Sequence, residues 1–241
     1  MASNGADRVA VVSGLRTPFL KQGTGFRDMT TLELSCLLVN ELVERTGVRP
    51  KTYTLCVFGQ VLPSLDYVNL AREIILRSNM NVSTEAYSVS HACATSMRAL
   101  TSVIESISHG EHDAAICGGA DNMDDLPLGV GRRLTSFLLK FQKTKGTIDR
   151  IRLLSQISPK DLIPPRPGYA VEPTTGLSMG QHCEVMAKDN GISRLCQDQI
   201  ALRSHNRAAA AWTSGFYDDQ VMPIVPPPHK QAIDRDNLYR E

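Results

Sequence analysis

The chain has 241 residues, of which 42% are hydrophobic and 21% are charged, and its formal net charge is +1 at pH 7. This length and hydrophobic content predict one large or two small globular domains and exclude a disordered chain. The balanced charge argues against a protein that binds nucleic acid through a uniformly basic surface, so no nucleic-acid partner is expected.

The cysteines and the first residues exclude further classes. None of the six cysteines forms a Cys-x-x-Cys pair or lies near histidines at zinc-finger spacing, so we expect no bound metal. Residues 1–8 have neither the apolar core of a signal peptide nor the arginine-rich character of a transit peptide. No apolar run approaches the ~18 residues that a membrane span requires. The sequence therefore predicts a cytoplasmic protein with free thiols.

Short strands alternate with amphipathic helices along the first half of the chain. The predicted strands are 8–12, 55–59, 86–89 and 113–119, and the predicted helices are 30–44, 69–77 and 94–108. This alternation is typical of βαβ units and therefore of a mainly parallel sheet in an α/β fold. In the third helix, an apolar stripe is predicted from Met97, Leu100, Ile104 and Ile107. Two later helices are predicted at 180–190 and 193–214.

A strongly basic segment interrupts this pattern. Residues 131–160 contain eight basic residues and one acid, a local charge of +7, which leaves −6 on the rest of the chain. The apolar residues Leu134, Phe137, Leu138 and Phe141 recur at helical spacing, which predicts two basic amphipathic helices joined around Gly146 and ended at 164–167. Three interpretations stay open: a membrane or partner contact, a surface that attracts phosphates, and a solvated helix packed on the body.

Cys93 is the first candidate for chemistry, because it follows a predicted strand and opens a predicted helix. A thiol in such a turn faces unpaired backbone N–H groups and the positive end of the helix, both of which favour the reactive thiolate. The small neighbours Ala92, Ala94 and Ser96 leave room for a substrate. The alternative is a buried, inert cysteine.

His91 and three aspartates are weaker candidates. His91 lies two residues before Cys93 and could act as its base, but a packing or hydrogen-bonding role is more common for such a histidine. Asp121, Asp124 and Asp125 follow a predicted strand and could bind a metal, although a solvated loop is the more common outcome.

A series of short motifs, in this order along the chain, resembles the first half of a thiolase. These motifs are Arg16-Thr17-Pro18-Phe19, Phe58-Gly59-Gln60-Val61, Asn69-Leu70-Ala71-Arg72-Glu73, Ser90-His91-Ala92-Cys93-Ala94-Thr95-Ser96, Gly118-Gly119-Ala120-Asp121, Met179-Gly180-Gln181-His182-Cys183-Glu184, Ile192-Ser193-Arg194, Gln197-Asp198 and Arg203-Ser204-His205. The resemblance extends from about residue 8 to about residue 240. It is strongest to the long-chain 3-ketoacyl-CoA thiolases of fatty-acid oxidation complexes, which share the basic amphipathic stretch at 132–162.

The resemblance implies a thiolase-type fold, an α/β architecture with αβαβα layers and an inserted helical loop domain. Residues 7–125 would form the N-terminal half-domain without its final strand, and residues 126–241 an incomplete loop domain that carries the basic helices. The motifs of the family's second half, which supply two catalytic histidines and a second cysteine, do not occur in these 241 residues. The chain is therefore expected to be the truncated front portion of a longer enzyme and to be inactive alone.

The resemblance also implies a mechanism and its partners. Cys93 would attack a 3-ketoacyl-CoA, and coenzyme A, as a co-substrate rather than a bound cofactor, would take the acyl group from the resulting thioester. Met179 matches a position that lines the family's substrate channel and is carried over as a substrate-binding residue. The family further implies a homo-oligomer, a hydratase/3-hydroxyacyl-CoA dehydrogenase partner subunit and a peripheral membrane contact through residues 132–162.

Two other functions stay open at this point. A β-ketoacyl synthase shares the architecture and the Ala-Cys-Ala-Thr context, although the motifs at 16–18, 69–72 and 204–205 favour a thiolase. A non-catalytic thiolase-like protein that binds lipid or a partner is the second alternative.

Overall fold

A three-stranded parallel sheet lies at the centre of the first of two units in the structure, a computed structural model that describes residues 8–127, 129–163, 171–228 and 231–240. Its strands, in the spatial order β2-β1-β3, are β1 (Leu55–Gly59), β2 (Glu85–Val89) and β3 (Ala115–Gly119). Three helices alternate with them along the chain: α1 (Thr31–Thr46), α2 (Leu70–Arg77) and α3 (Thr95–Ser108). The predicted α/β pattern of residues 30–119 is therefore confirmed.

The second unit, residues 127–198, is helical. It contains α4 (Arg132–Lys143), α5 (Thr147–Leu154), a 3-10 turn (Pro159–Leu162), α6 (Met179–Asp189) and the beginning of α7 (Arg194–Thr213). The two predicted basic helices are confirmed, with Gly146 as the N-cap of α5. The predicted end of this region at 164–167 lies outside the described residues.

Local capping explains why the first helices begin and end where they do. The Thr30 side chain accepts a hydrogen bond from the Glu33 N–H, and the Glu33 carboxylate accepts one from the Thr30 N–H, which forms a capping box. Gly47 ends α1 in the left-handed conformation, with φ of 64°. Asn69 caps α2 by accepting from the Arg72 N–H.

The sheet is covered on both faces, which explains why β1 reads as an uninterrupted apolar run. One face presents Cys56, Phe58 and Ile116 to apolar side chains of α1 and α2. The opposite face presents Leu55 and Val57 to Ala99 and Val103 of α3. All five residues of β1 are buried.

The face of α3 that meets the sheet differs in part from the predicted one. Its buried residues are Thr95, Ala99, Ser102 and Val103. Of the predicted stripe, Ile107 packs against this cluster, whereas Met97 is 63% exposed. The reason is steric, because the first turn of α3 contacts the backbone of glycines that end β1 and β3. Only small side chains fit at such a close approach, and they make this face inconspicuous in the sequence.

The predicted strand at 8–12 is wrong. The described residues form no strand there, and the side chains of Val11 and Val12 are 75% and 84% exposed. From residue 8 onward, the first residue that pairs is Arg16, which forms an isolated parallel bridge with Val221. A β-branched run is not enough for a strand, since its backbone groups also need a neighbouring strand as hydrogen-bond partner.

Residues after 198 return to the first unit. Met222 and Ile224 are buried against Phe26, Met29 and Leu34. The compact units are thus divided near 126 and again near 198, whereas the predicted domains were 7–125 and 126–241. The division into compact units does not test where the family's domains begin and end, so those predicted bounds stay a prediction.

A half-buried ion pair connects the segment around Arg16 to the end of the described chain. The guanidinium donates to both carboxylate oxygens of Asp236, at 2.7 and 2.9 Å. Asp236 also accepts from the Phe19 N–H at 2.7 Å and from the Trp212 indole at 3.3 Å. Burial raises the pKa of the Asp236 carboxyl, but the hydrogen bonds from Arg16 and Phe19, together with the Arg16 charge, outweigh it and hold the pKa below its ordinary value.

This ion pair predicts that Asp236→Asn lowers the free energy of unfolding in a pH-dependent way. The variant is made in the complete polypeptide, which means the product of the complete reading frame that contains these residues. We expect the variant to lose about 1.5–3 kcal/mol of unfolding free energy at pH 7, the range for hydrogen bonds to charged groups. Because the folded-state pKa is depressed, the stabilisation is present above the ordinary carboxyl pKa of ~3.9 and is lost as the pH falls through the folded value. Urea-induced unfolding at pH 7 and in acid measures both effects.

Asp234→Asn is the matched control, since it removes the same charge from an exposed aspartate two residues away. The account of the ion pair is contradicted if both variants lose equal stability at pH 7, or if the difference persists in acid.

Candidate active site around Cys93

Cys93 lies in the turn that joins β2 to α3, and its side chain is exposed. β2 ends at Val89 and α3 begins at Thr95, so the predicted strand–turn–helix setting is confirmed. The alternative of a buried cysteine at this position is wrong. The carboxyl ends of parallel strands meet at one edge of a sheet, where ligands of α/β proteins commonly bind.

The residue before Cys93 has an unusual backbone conformation. Ala92 has φ of 45°, and among the described residues it is the one non-glycine residue in the left-handed region. Such a conformation costs on the order of 1–3 kcal/mol and occurs preferentially at functional sites. It allows the chain to leave β2 and enter α3 within a few residues, with Cys93 at the exposed point of the turn.

Four hydrogen bonds hold this turn. The Ala94 N–H donates to the His91 carbonyl at 3.0 Å, and the Thr95 N–H donates to the Ala92 carbonyl at 3.1 Å. The Thr95 hydroxyl accepts from the His91 N–H at 2.8 Å and donates to the Ala92 carbonyl at 2.7 Å. The Thr95 hydroxyl was missed in the sequence analysis, although a threonine at the first position of a helix is a known signal for such local bonds.

The N-terminus of α3 has no side-chain cap. Its N-cap residue is Ala94, and no acidic residue lies in its first turn. By contrast, α1 and α6 are capped by Thr30 and Ser178. The Thr95 N–H is used inside the turn, but no side chain caps the N–H groups that follow it in α3. These groups remain available to a negative charge beside Cys93, either its own thiolate or an oxyanion that develops during a reaction.

Glycines at the ends of β1 and β3 make room for this helix start. A Cβ atom on Gly59 would lie 2.5 Å from the Val89 carbonyl oxygen and would also collide with the Thr95 methyl group. A Cβ atom on Gly119 would lie 2.5 Å from the Ser96 Oγ. Close packing against α3 thus explains Gly119, whereas a Cβ atom on Gly118 would meet the Phe58 ring at 2.7 Å. The sequence analysis identified neither role.

The structure gives the weaker candidates other roles. In the described part of the chain, no hydrogen bond joins the His91 ring to Cys93, and the His91 backbone N–H is bound to Thr95. The Asp121 carboxylate accepts from the Val61 and Leu62 N–H groups at 2.8 to 3.0 Å. Burial raises the pKa of the Asp121 carboxyl, and those two hydrogen bonds offset it only in part.

The carboxylates of the two neighbouring aspartates also accept hydrogen bonds from backbone N–H groups. Asp124 accepts from the Gly23 N–H, and Asp125 accepts from the Thr31 N–H. These bonds order the loops around the sheet edge rather than form an open carboxylate cluster. Within the described ranges, no group of three His, Cys, Asp or Glu side chains is arranged to hold a metal ion.

Comparison with known proteins decides the family. The family model described as "Thiolase, N-terminal domain" matches residues 9–241. The chain belongs to the thiolase family.

Named relatives and solved structures agree with this assignment. A 3-ketoacyl-CoA thiolase of Vibrio cholerae is 47% identical over 234 residues, which cover 97% of this chain and 54% of the relative. One from Photobacterium profundum is 46% identical over 235 residues, covering 98% and 54%. The crystal structure of the Bacillus anthracis acetyl-CoA acetyltransferase superposes with a TM-score of 0.78 at 23% identity, over 94% of this chain and 53% of that one.

A second solved structure, the Acat5 thiolase from Ascaris suum in complex with coenzyme A, superposes with a TM-score of 0.75 at 20% identity, over 92% of this chain and 52% of that one. These two likenesses show that the fold is the thiolase fold, as predicted. The chain spans about half the length of the relatives it matches.

Met179, the predicted substrate-binding residue of this thiolase chain, lies in the second unit. It is the first residue of α6 and is 58% exposed. A capping box between Ser178 and Gln181 fixes the start of the helix. This places Met179 on an ordered, accessible helix end, and its contact with substrate stays a prediction.

The basic helices of the second unit are mostly exposed. None of the residues of α4 or α5 is buried, although the Phe137 and Phe141 rings lie 5.6 Å apart and Arg150 stacks on Phe141 at 5.3 Å. The exposed apolar side chains on these helices are Leu138, Leu139, Ile148, Ile151 and Leu154. No helix in the described ranges is long and apolar enough to cross a membrane.

The other cysteines divide into inert and accessible ones. Burial raises the pKa of the Cys36 thiol to about 11, and burial with a smaller effect of Cys117 raises that of Cys56 to about 12. A thiol that ionises so reluctantly is a poor nucleophile. Cys183 and Cys196 are exposed like Cys93, but both lie within helices of the second unit rather than in a turn before one.

Proposed function

We propose that this chain is the N-terminal part of a 3-ketoacyl-CoA thiolase, an acyltransferase of fatty-acid degradation, with Cys93 as its nucleophile. The observation that carries the proposal is an exposed thiol in a strained turn at an uncapped helix N-terminus. It occurs in a chain that is 46–47% identical to relatives named 3-ketoacyl-CoA thiolase.

In the proposed first step, the Cys93 thiolate attacks the C3 carbonyl carbon of a 3-ketoacyl-CoA. The bond between C2 and C3 then breaks, its electron pair stays on C2, and protonation of C2 releases acetyl-CoA. The remaining acyl group is left on Cys93 as a thioester. Because an oxyanion develops at C3 during the attack, the uncapped N–H groups of α3 are suited to stabilise it.

In the second step, the thiolate of a free coenzyme A attacks the carbonyl carbon of the acyl thioester. The bond to Cys93 breaks, the cysteine leaves as a thiolate, and the product is an acyl-CoA two carbons shorter. Coenzyme A is therefore a co-substrate and no resident cofactor is required. The groups that move the protons are proposed to come from the histidine and cysteine motifs of the family's second half.

The direct test uses the complete polypeptide with a 3-ketoacyl-CoA and free coenzyme A. The proposal expects acetyl-CoA and the shortened acyl-CoA to form in equal amounts, measured by liquid chromatography and mass spectrometry. Activity confined to substrates on acyl carrier protein would instead identify a β-ketoacyl synthase, and the absence of any acyl transfer would favour a non-catalytic relative.

The family resemblance supports two further parts of the proposal, a homo-oligomer and a hydratase/3-hydroxyacyl-CoA dehydrogenase partner subunit. A third part, peripheral contact with anionic membranes, is supported by the surface of α4 and α5. On these helices, exposed lysines and arginines lie beside the exposed apolar residues of 138–154. This combination is typical of helices that lie in a membrane interface.

Replacing Lys140, Lys143 and Lys145 together by glutamine is expected to weaken binding of the complete polypeptide to anionic vesicles roughly 10²-fold, since each lysine near such a surface contributes ~1 kcal/mol. Co-sedimentation with vesicles of phosphatidylserine and phosphatidylcholine measures the change. The control variant carries the same substitution at Lys21, Lys51 and Lys188, which are exposed elsewhere. Equal binding by both variants would exclude the lysines of α4 and its connection to α5 as a membrane contact.

A further inference from the structure

We propose that Thr95 is the positioning residue of the nucleophile, because its hydroxyl group holds the turn that carries Cys93 in a conformation that this turn does not favour by itself. The inference rests on the proposed function only in taking Cys93 as the nucleophile. It assigns a task to a residue that contacts neither the acyl group nor coenzyme A in the proposed reaction.

The hydroxyl of Thr95 bonds to both residues that directly precede Cys93. Thr95 is the first residue of α3 and is 4% exposed. Its Oγ1 accepts from the N–H of His91 and donates to the carbonyl of Ala92. These two groups lie on either side of the N–Cα bond of Ala92, whose rotation is the angle φ. A single oxygen atom therefore holds the backbone on both sides of that bond.

The strained backbone of Ala92 needs an interaction that holds it. An L-residue with φ of 45° persists only where its surroundings enforce that conformation. The Ala92 side chain is exposed and supplies no packing that could do so. Thr95 belongs to α3 and its methyl group lies against Gly59 of β1, so the helix and the sheet position the hydroxyl that bonds to the turn.

The methyl group of Thr95 orients the side chain. It contacts the backbone of Gly59 at the end of β1, where a Cβ atom would collide with it. This contact fixes the rotation of the side chain and directs the hydroxyl back toward His91 and Ala92. The end of the central strand is thereby connected, through one side chain, to the conformation of the residue before Cys93.

Loss of the hydroxyl has a clear expected consequence. Without these two hydrogen bonds, Ala92 can return to a negative φ, and Cys93 then leaves its place directly before the first turn of α3. The Cys93 sulfur is then displaced from the start of α3, where the positive end of the helix favours reactions that pass through an anion.

The test compares Thr95→Val, which keeps the shape and removes the oxygen atom, with Thr95→Ser, which keeps the oxygen atom. Thr84→Val is the matched control. Thr84 directly precedes the first residue of β2 and is also 4% exposed, and its hydroxyl donates to the Tyr53 carbonyl at 2.8 Å. Each variant is made in the complete polypeptide and alkylated with iodoacetamide for increasing times. Trypsin releases residues 78–98 with Cys93 as their one cysteine, so mass spectrometry gives its rate separately.

We expect Thr95→Val to slow alkylation of Cys93 roughly tenfold, as for other small displacements of a reacting group. Thr95→Ser and Thr84→Val should stay within about twofold of the parent protein, and the rates of Cys183 and Cys196 should not change in any variant. An unchanged Cys93 rate in Thr95→Val overturns the proposal. So does an equal loss in Thr95→Ser or Thr84→Val, since either would show that the hydroxyl is not the cause.

A variant that does not fold is also informative. If circular dichroism shows that Thr95→Val is unfolded, adding Ala92→Gly should restore folding, because glycine adopts positive φ without support; a double variant that stays unfolded overturns the proposal. Alkylation does not require thiolase activity. A failed thiolysis assay would therefore refute the proposed function while leaving this test intact.

Discussion

Replacing Cys93 by alanine is expected to abolish thiolysis by the complete polypeptide, with kcat falling on the order of 10⁴-fold or more. The effect is this large because the acyl thioester can form on no other atom of the turn, and every turnover must pass through it. The substitution removes an exposed side chain, so the free energy of unfolding should change by less than about 0.5 kcal/mol. Initial rates with a 3-ketoacyl-CoA and free coenzyme A measure the loss.

Cys183→Ala is the matched control for this variant. Cys183 is exposed as well, but it lies in the second turn of α6 rather than in a turn before a helix. We expect its activity to remain within about twofold of the parent protein. Substantial thiolysis by Cys93→Ala, or an equal loss in both variants, would refute the assignment of Cys93 as the nucleophile.

Gly59→Ala is expected to have the largest effect on stability, a loss of about 3 kcal/mol in the free energy of unfolding. The new methyl group would meet the Val89 carbonyl oxygen at 2.5 Å, and this oxygen belongs to the backbone of the paired strand β2. It would also meet the methyl group of Thr95. Because both neighbours are fixed by the sheet and by α3, the strands must separate or the helix must move.

Gly14→Ala separates this steric effect from the general effect of adding a methyl group. A Cβ atom on Gly14 would meet no other atom within 4 Å, and we expect a change of less than about 0.5 kcal/mol. Urea-induced unfolding of the two variants beside the parent protein gives both values. If Gly59→Ala is as stable as Gly14→Ala, α3 is not held against the strand ends in the way described.

Features that depend on neighbouring residues in the sequence were predictable. A capping threonine at Thr30 and a glycine at Gly47 are local signals, and the predicted helix 30–44 agrees with α1 to within two residues at each end. The apolar run 55–59 predicted a strand, and the structure shows that this strand is covered on both faces. The setting of Cys93 was predictable for the same reason, since a strand, a turn and a helix follow one another within a few residues.

Features that depend on distant residues were not predictable. The β-branched run 8–12 has the composition of a strand, but whether a neighbouring strand is available cannot be read from the run itself. The sheet-facing side of α3 consists of small residues because glycines of β1 and β3 meet it, and those residues are far apart in the sequence. The hydroxyl of Thr95 gains its importance from the positive φ of Ala92, which alanine gives no reason to expect.

The central claim is that Cys93 carries the acyl group, and trapping of the intermediate tests it most directly. The complete polypeptide is mixed with a 3-ketoacyl-CoA in the absence of free coenzyme A, quenched in acid and digested with trypsin. We expect the peptide of residues 78–98 to gain the mass of the shortened acyl group, and to lose it when coenzyme A is added before the quench. Acetyl-CoA release with the acyl group on another residue, or with no acylated peptide, would contradict the account.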